Sequence, residues 1–229
     1  MNIWLKNLIL LLGLITTAAI LLMWAETEKE INVLCSMVRP GHTFSSTVAT
    51  LETGNFLEFS VSEQASGQII NVVSSYNLWS SDCEIAFTPA GQVGSAEYSE
   101  RVSILTLASW TGGTLSVLLV IFQLMLAFGL PIGSFAWGGE HKVLPIRLKK
   151  ASFVSSLVVL FCATLFIEAG TETQVLPGTG YQTPALSLFV ILFGLSTFAN
   201  LNSSSLPERL TGTPAAFLLC MCCFVVLLF

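Results

Sequence analysis

The sequence predicts a membrane protein of mainly α class: about five transmembrane helices, with a small α+β extracytoplasmic domain between the first and second. Three observations carry this expectation. Hydrophobic residues make up 53% of the 229-residue chain and charged residues only 10%, where a soluble domain carries about a quarter charged. Several runs approach or exceed the roughly 18–20 apolar residues that cross a bilayer as a helix; they lie near residues 4–24, 104–130, 152–168, 184–200 and 213–229. One polar stretch, 25–102, is long enough to fold alone. The expected organisation is a first span over 1–24, an outer domain over 25–102 and a four-helix bundle over 103–229.

The first run is read as a retained signal anchor. Its apolar stretch from Leu8 to Trp24 is long for a cleaved leader, and Met23-Trp24-Ala25 puts a large residue where cleavage wants a small one. Orientation follows from the basic residues, which favour the cytoplasmic side. With the N-terminus inside, Lys6, Lys142, Arg147, Lys149, Lys150 and Arg209 all lie inside, six of the nine cations. Twelve of the fourteen acidic residues then lie outside. This pattern predicts a multi-pass protein of a bacterial inner (cytoplasmic) membrane. Residues 25–102 and the C-terminus would then be periplasmic.

In the outer segment, Glu26, Glu28 and Glu30 read as a solvated acidic lead-in from the membrane. Pro40-Gly41 mark a turn, Thr43 or Ser45 can cap a helix, and Phe44, Val48 and Leu51 recur at helical spacing. Gly54-Asn55 then supply a stop. Beyond it the chain alternates as strands do, through Leu57, Phe59 and Val61, "GQIINVVSSYNLW", "CEIAFT" and "GSAEYSE". A helix on a small antiparallel sheet packs such elements. Cys35 and Cys83 share this segment, where a disulfide persists, and a bridge between them is expected. His42 is its one histidine, and a single loop histidine is more often incidental. Cys162, Cys220, Cys222 and Cys223 sit within apolar runs and read as small packing residues.

The later spans are nearly free of ionisable groups, which argues against a transport pathway. Gln123 is the strongly polar side chain deep in a span, and Glu168 marks an outer end. Ser152, Ser155, Ser156, Thr164, Gly194 and Ser196 suit close helix packing. "WTGGT", 110–114, is placed to bend its span or admit a neighbour.

Two loops hold the remaining signal: "GLPIGSFAWGGEHKVLP", followed by "LKKAS", and "NLNSSSLPERLTGTP". From about residue 113 onward, these two motifs in this order resemble a family of small four-helix bacterial membrane proteins. That resemblance implies a four-helix bundle and brings no catalytic residues with it. The chain departs from the family pattern at Lys149, usually Arg, and at Gly212, usually Trp. The outer domain is loosely similar, in its order of a glycine-led helix and strands, to small periplasmic lipoprotein domains of the outer-membrane assembly machinery. That likeness implies binding to a protein partner.

Read physically, Gly129, Pro131 and Gly133 end a span. Phe135 and Trp137 suit the headgroup layer, and Arg147, Lys149 and Lys150 face anionic headgroups of the inner leaflet. Topology places Trp137, Glu140, His141, Arg147, Lys149 and Lys150 in one layer with Asn200, Ser203, Glu208 and Arg209. Two readings stand for this layer. It forms a lipid- or small-ligand pocket centred on His141 and Arg209, or Glu140 or Glu208 pairs with Arg147 or Arg209 and ties the loops together. One histidine and no cysteine disfavour a metal. A pairing of His141 as base with Ser203 or Ser205 as nucleophile lacks an orienting group. No cofactor, metal or nucleic-acid partner is expected. The reading favoured overall is a non-enzymatic accessory, scaffold or sensor that presents the outer domain to a protein.

Overall fold

The computed structural model describes residues 3–64, 67–171, 173, 175 and 180–229. Five helices are long and apolar enough to cross a membrane. They are α1 (Ile3–Met37), α3 (Ile104–Ala127), α4 (Ile146–Thr171), α5 (Gln182–Leu201) and α6 (Leu206–Leu228). Between α1 and α3 lie α2 (Phe44–Leu51) and strands β1 (Glu58–Gln64), β2 (Gly67–Val73), β3 (Ser81–Phe87) and β4 (Val93–Glu100). The chain divides into two compact units, Ala19–Ile104 and the bundle formed by Met1–Ala18 with Leu105–Phe229.

In the first unit the strands form an antiparallel meander in the order β1-β2-β3-β4. Register is set by apolar pairs: Ile70 stands opposite both Val61 and Ile85, and Val72 opposite Cys83. Thr43 caps α2 by accepting from the Ser46 amide, which satisfies one of the donors a helix start leaves open. The core joins Ile70, Val72, Cys83 and Ile85 of the sheet to Leu51 of α2 and to Ile31, Leu34 and Cys35 of α1, with Val38 just beyond it.

That last contribution differs from the expected acidic lead-in. The helix expected to end near residue 24 continues to Met37, because Ile31, Leu34, Cys35 and Val38 recur at 3- and 4-residue spacing and cover the sheet. Glu28 and Glu30 on the way are partnered. Glu30 accepts from the Asn55 and Phe56 amides at 2.8 and 2.9 Å, one on each oxygen. Glu28 is buried and accepts from the Ser103 hydroxyl and the Ile104 amide, both at 3.0 Å, again one on each oxygen. It thereby caps the N-terminus of α3, where a carboxylate is favoured by the helix dipole. The Cys35 and Cys83 sulfurs lie 2.06 Å apart, a disulfide that closes a span of 48 residues.

In the bundle, α5 and α6 form a closely packed hairpin. The three later helices run 26, 20 and 23 residues, longer than the roughly 17-residue runs of pure apolarity, since polar turns such as "PERLTGT" are helical too. The Gly112-Gly113 pair of "WTGGT" admits a neighbour: a Cβ at Gly112 would fall 2.4 Å from the Phe166 ring of α4. Cys162, Cys222 and Cys223 are buried packing residues, with the Cys162 and Cys223 sulfurs 3.9 Å apart. Glu168 is buried at the end of α4. It accepts from the Val175 amide, the Tyr181 hydroxyl and the Gln182 side-chain amide at 2.6–3.0 Å, and so fastens the α4–α5 connection to the helix.

Candidate functional site

The two motif loops meet at one end of the bundle. Residues 128–145 leave α3 through Gly129, fold into short 3-10 turns at Gly133–Phe135 and Trp137–Gly139, and close when the Gly133 amide donates to the Lys142 carbonyl at 2.9 Å. Against this loop sits the α5–α6 connection, with Ser205 as the N-cap of α6.

Glu208 is the centre of the meeting. Only 6% of it is exposed, and one oxygen, Oε2, accepts both the Gly138 amide at 2.9 Å and the Ser203 hydroxyl. The Gly138 carbonyl in turn accepts from the Ser204 hydroxyl at 3.1 Å, and the Ser134 carbonyl accepts from the Ser205 hydroxyl at 2.5 Å. This closeness requires a glycine at 139, and the backbone angles favour glycine at both positions. Gly138 and Gly139 hold φ of +81° and +71°, and a Cβ on Gly139 would fall 2.4 Å from the Ser205 side chain. Trp137 also holds a positive φ, 56°, and is fixed there by its indole N–H, which donates to Ser152 of α4 at 3.0 Å.

Arg209 is buried and turned away from the loop. Its Nε donates to the Ser203 carbonyl at 3.1 Å, Nη2 donates to the same oxygen, and Nη1 reaches the Asn7 side chain at 3.2 Å. The loops are therefore tied by hydrogen bonds, one of them to a carboxylate, and not by an ion pair. Neither Arg147 nor Arg209 lies within ion-pair distance of Glu208, and the pairing expected for Glu140 is replaced by exposure to solvent, which Glu140 shares with His141, Arg147 and Lys150. Lys149 is half-buried, its ammonium lying over Gly129.

Beside the tie is a cavity of about 430 Å³, within the range of about 300–1,000 Å³ typical of small-molecule sites. Trp137, Asn200, Ser203 and Glu208 line it, as do Gln123, Ser155 and Ser196. Its walls are apolar, with Leu119, Phe122, Phe135 and Phe193. Glu208 is the one ionisable group among the described lining residues. Of the ten residues singled out in the sequence for this layer, four thus line one cavity. His141 and Arg209, expected at a pocket's centre, do not line it. The Ser203 and Ser205 hydroxyls are committed to Glu208 and to Ser134, so the pairing with His141 is not assembled.

Asn7, Ser134 and the backbone of Gly138 lie outside the residues read from the sequence for this layer, and Ser152, read as a packing residue, accepts from Trp137. Asn7 carried a signal, as a polar residue inside "LKNLILLL"; the others act through backbone atoms or a hydroxyl that sequence spacing does not single out. No known protein family, curated protein or solved structure matches this chain. The resemblance from about residue 113 onward stands on its two motifs.

Proposed function

We propose that this chain is a multi-pass membrane-anchored binding protein, non-enzymatic, that presents residues 25–102 to a protein partner outside a bacterial inner membrane. The N-terminus lies inside, as the distribution of Lys and Arg favours. The observation that carries the reading is the β2–β3 connection, Ser74 to Ser80. Tyr76, Leu78 and Trp79 are 49%, 67% and 53% exposed, although each is a large apolar group. Leu78 and Trp79 also hold positive φ, 54° and 55°, a conformation costing roughly 1–3 kcal/mol at each such residue.

The loop is held in that shape from within. Asn77 is buried and donates to the Ser81 hydroxyl at 2.7 Å, the Ser74 hydroxyl donates to the Phe56 carbonyl, and the Trp79 amide donates to the Ser74 carbonyl at 3.0 Å. The Tyr76 ring packs edge-on against Phe56 at 5.6 Å. Preorganised, exposed aromatic and aliphatic groups are the composition of interface hot spots. Contiguous apolar exposure of this kind marks interaction sites.

The test is a photo-crosslinking amino acid at Leu78 in intact membranes, with one at exposed Glu63 as control. The expected result is a discrete protein adduct from position 78 alone, lost in the Trp79→Ala background. Adducts with lipid only, or equal adducts from both positions, overturn the reading.

A further inference from the structure

The cavity beside Glu208 has a polarity that selects its occupant. Glu28, Glu30 and Glu168 each accept hydrogen bonds on both carboxylate oxygens. Glu208 differs: both of its donors converge on Oε2, and Oε1 has no partner among the described residues. Across the same cavity, Gln123 carries a buried amide oxygen that is also without a partner. One carboxylate, two carboxamides (Gln123 and Asn200) and the Ser155, Ser196 and Ser203 hydroxyls therefore line a space that holds no Lys, Arg or His among its described lining residues. The buried Gln123 oxygen left unmade costs free energy, and the uncompensated Glu208 carboxylate favours a donor-bearing cation.

The cavity also has an apolar continuation. A groove of about 300 Å³ runs between α3 and α6, lined by Leu115, Leu118 and Leu219, and it shares Leu119, Phe122, Phe135, Gly212 and Ala215 with the cavity. A polar end holding one negative group, joined to an apolar slot, is the complement of an amphiphile.

We propose that this site binds an amphiphile with a primary ammonium head. Glu208 Oε1 and Gln123 Oε1 accept its N–H donors, and the α3–α6 groove takes its alkyl chain. The sign is opposite to the anionic headgroup that the nearby cations led the sequence to favour, because Arg147 and Lys150 are exposed and Arg209 is spent on Ser203 and Asn7.

Two sources share this chemistry, an aminophospholipid of the bilayer and a free long-chain amine. The full-length protein is placed in nanodiscs of equal phosphatidylethanolamine and phosphatidylglycerol, and bound lipid is counted by native mass spectrometry. In a second arm, dodecylamine is added to lipid-free detergent micelles of the protein. Retention of phosphatidylethanolamine about tenfold over phosphatidylglycerol supports the lipid source, and stoichiometric dodecylamine without that preference supports the free amine. Gln123→Leu removes only an unpartnered acceptor and leaves the loop tie intact, so it tests the site without risking the fold. It and Glu208→Gln are each expected to lower retention about tenfold, the scale of losing one partner of a charged hydrogen bond. Equal retention of both phospholipids with no bound amine overturns the proposal, as does retention unchanged in both variants.

Discussion

Glu30 and Glu208 hold comparable posts in two different regions, and they are used differently. Each ties a helix to a distant loop, and neither relies on a cation among the contacts described above. In the outer unit, Glu30 engages both oxygens with backbone amides. At the loop end of the bundle, Glu208 spends one oxygen on two donors and lines an open cavity with the other unspent. A structural carboxylate and a candidate binding carboxylate are thus told apart by whether the fold engages both oxygens or one, a distinction that burial alone does not make.

The largest effect is expected in the closed region. Replacing Cys35 and Cys83 with serine releases a loop of 48 residues, which in chain-entropy terms removes about 4 kcal/mol from the outer unit. Thermal unfolding followed by near-UV circular dichroism should show the outer unit melting well below the wild type, while helix content from the spans persists. A single cooperative loss of both would mean that the two units are not independent.

The next comparison is a matched pair of conservative substitutions. In Glu30→Gln an amide NH₂ is forced against a backbone N–H, since both neighbouring donors are amides; the expected cost is about 1–2 kcal/mol in denaturant unfolding. In Glu208→Gln the carbonyl keeps Gly138 and Ser203 and the NH₂ turns into the cavity, so the expected cost is below about 1 kcal/mol. Equal losses would erase the distinction between the two carboxylates.

The smallest effect is a pH dependence at the opposite end of the bundle. The hydrogen bond to Glu168, the largest cause, together with desolvation and the carboxylate charge, pushes the Tyr181 phenol up to about 12. A phenol raised above its usual value near 10 favours the protonated form in the folded state. Its contribution is complete below about pH 10 and is lost as the pH rises through about 12. Absorbance titration at the phenolate band should therefore lose its component near pH 12 in Tyr181→Phe. A Tyr181 titrating at the ordinary phenol value would remove the clamp from the account.

Much of this architecture was legible because it rests on local periodicity. The apolar runs, the Thr43 cap, the strand alternation and the cysteine pair all announce themselves within a few residues. The reach of α1 was less plain. "AETEKEINVLC" reads as charged first and amphipathic second, and only the positions of Ile31, Leu34 and Cys35 betray the buried stripe. The need for partners at Glu28 and Glu30 was not visible, since those partners lie 76 and 25 residues away. For the cavity, residue types pointed to the right layer, yet charge misdirected the choice within it. Arg147 and Lys150 face solvent and Arg209 is buried elsewhere, and the polar groups that line the space are two carboxamides, hydroxyls and one glutamate.

The capping of α3 by Glu28 has a mechanical consequence. The Arg101 amide donates to the Ser80 carbonyl at 2.7 Å, immediately beside the exposed Trp79. Two residues further on, Ser103 and Ile104 are held by Glu28. The tip of the β2–β3 connection is thus joined through one hydrogen bond to Arg101 and along the chain to the two residues that Glu28 holds, so a load placed on Trp79 would be borne by that carboxylate within the outer unit.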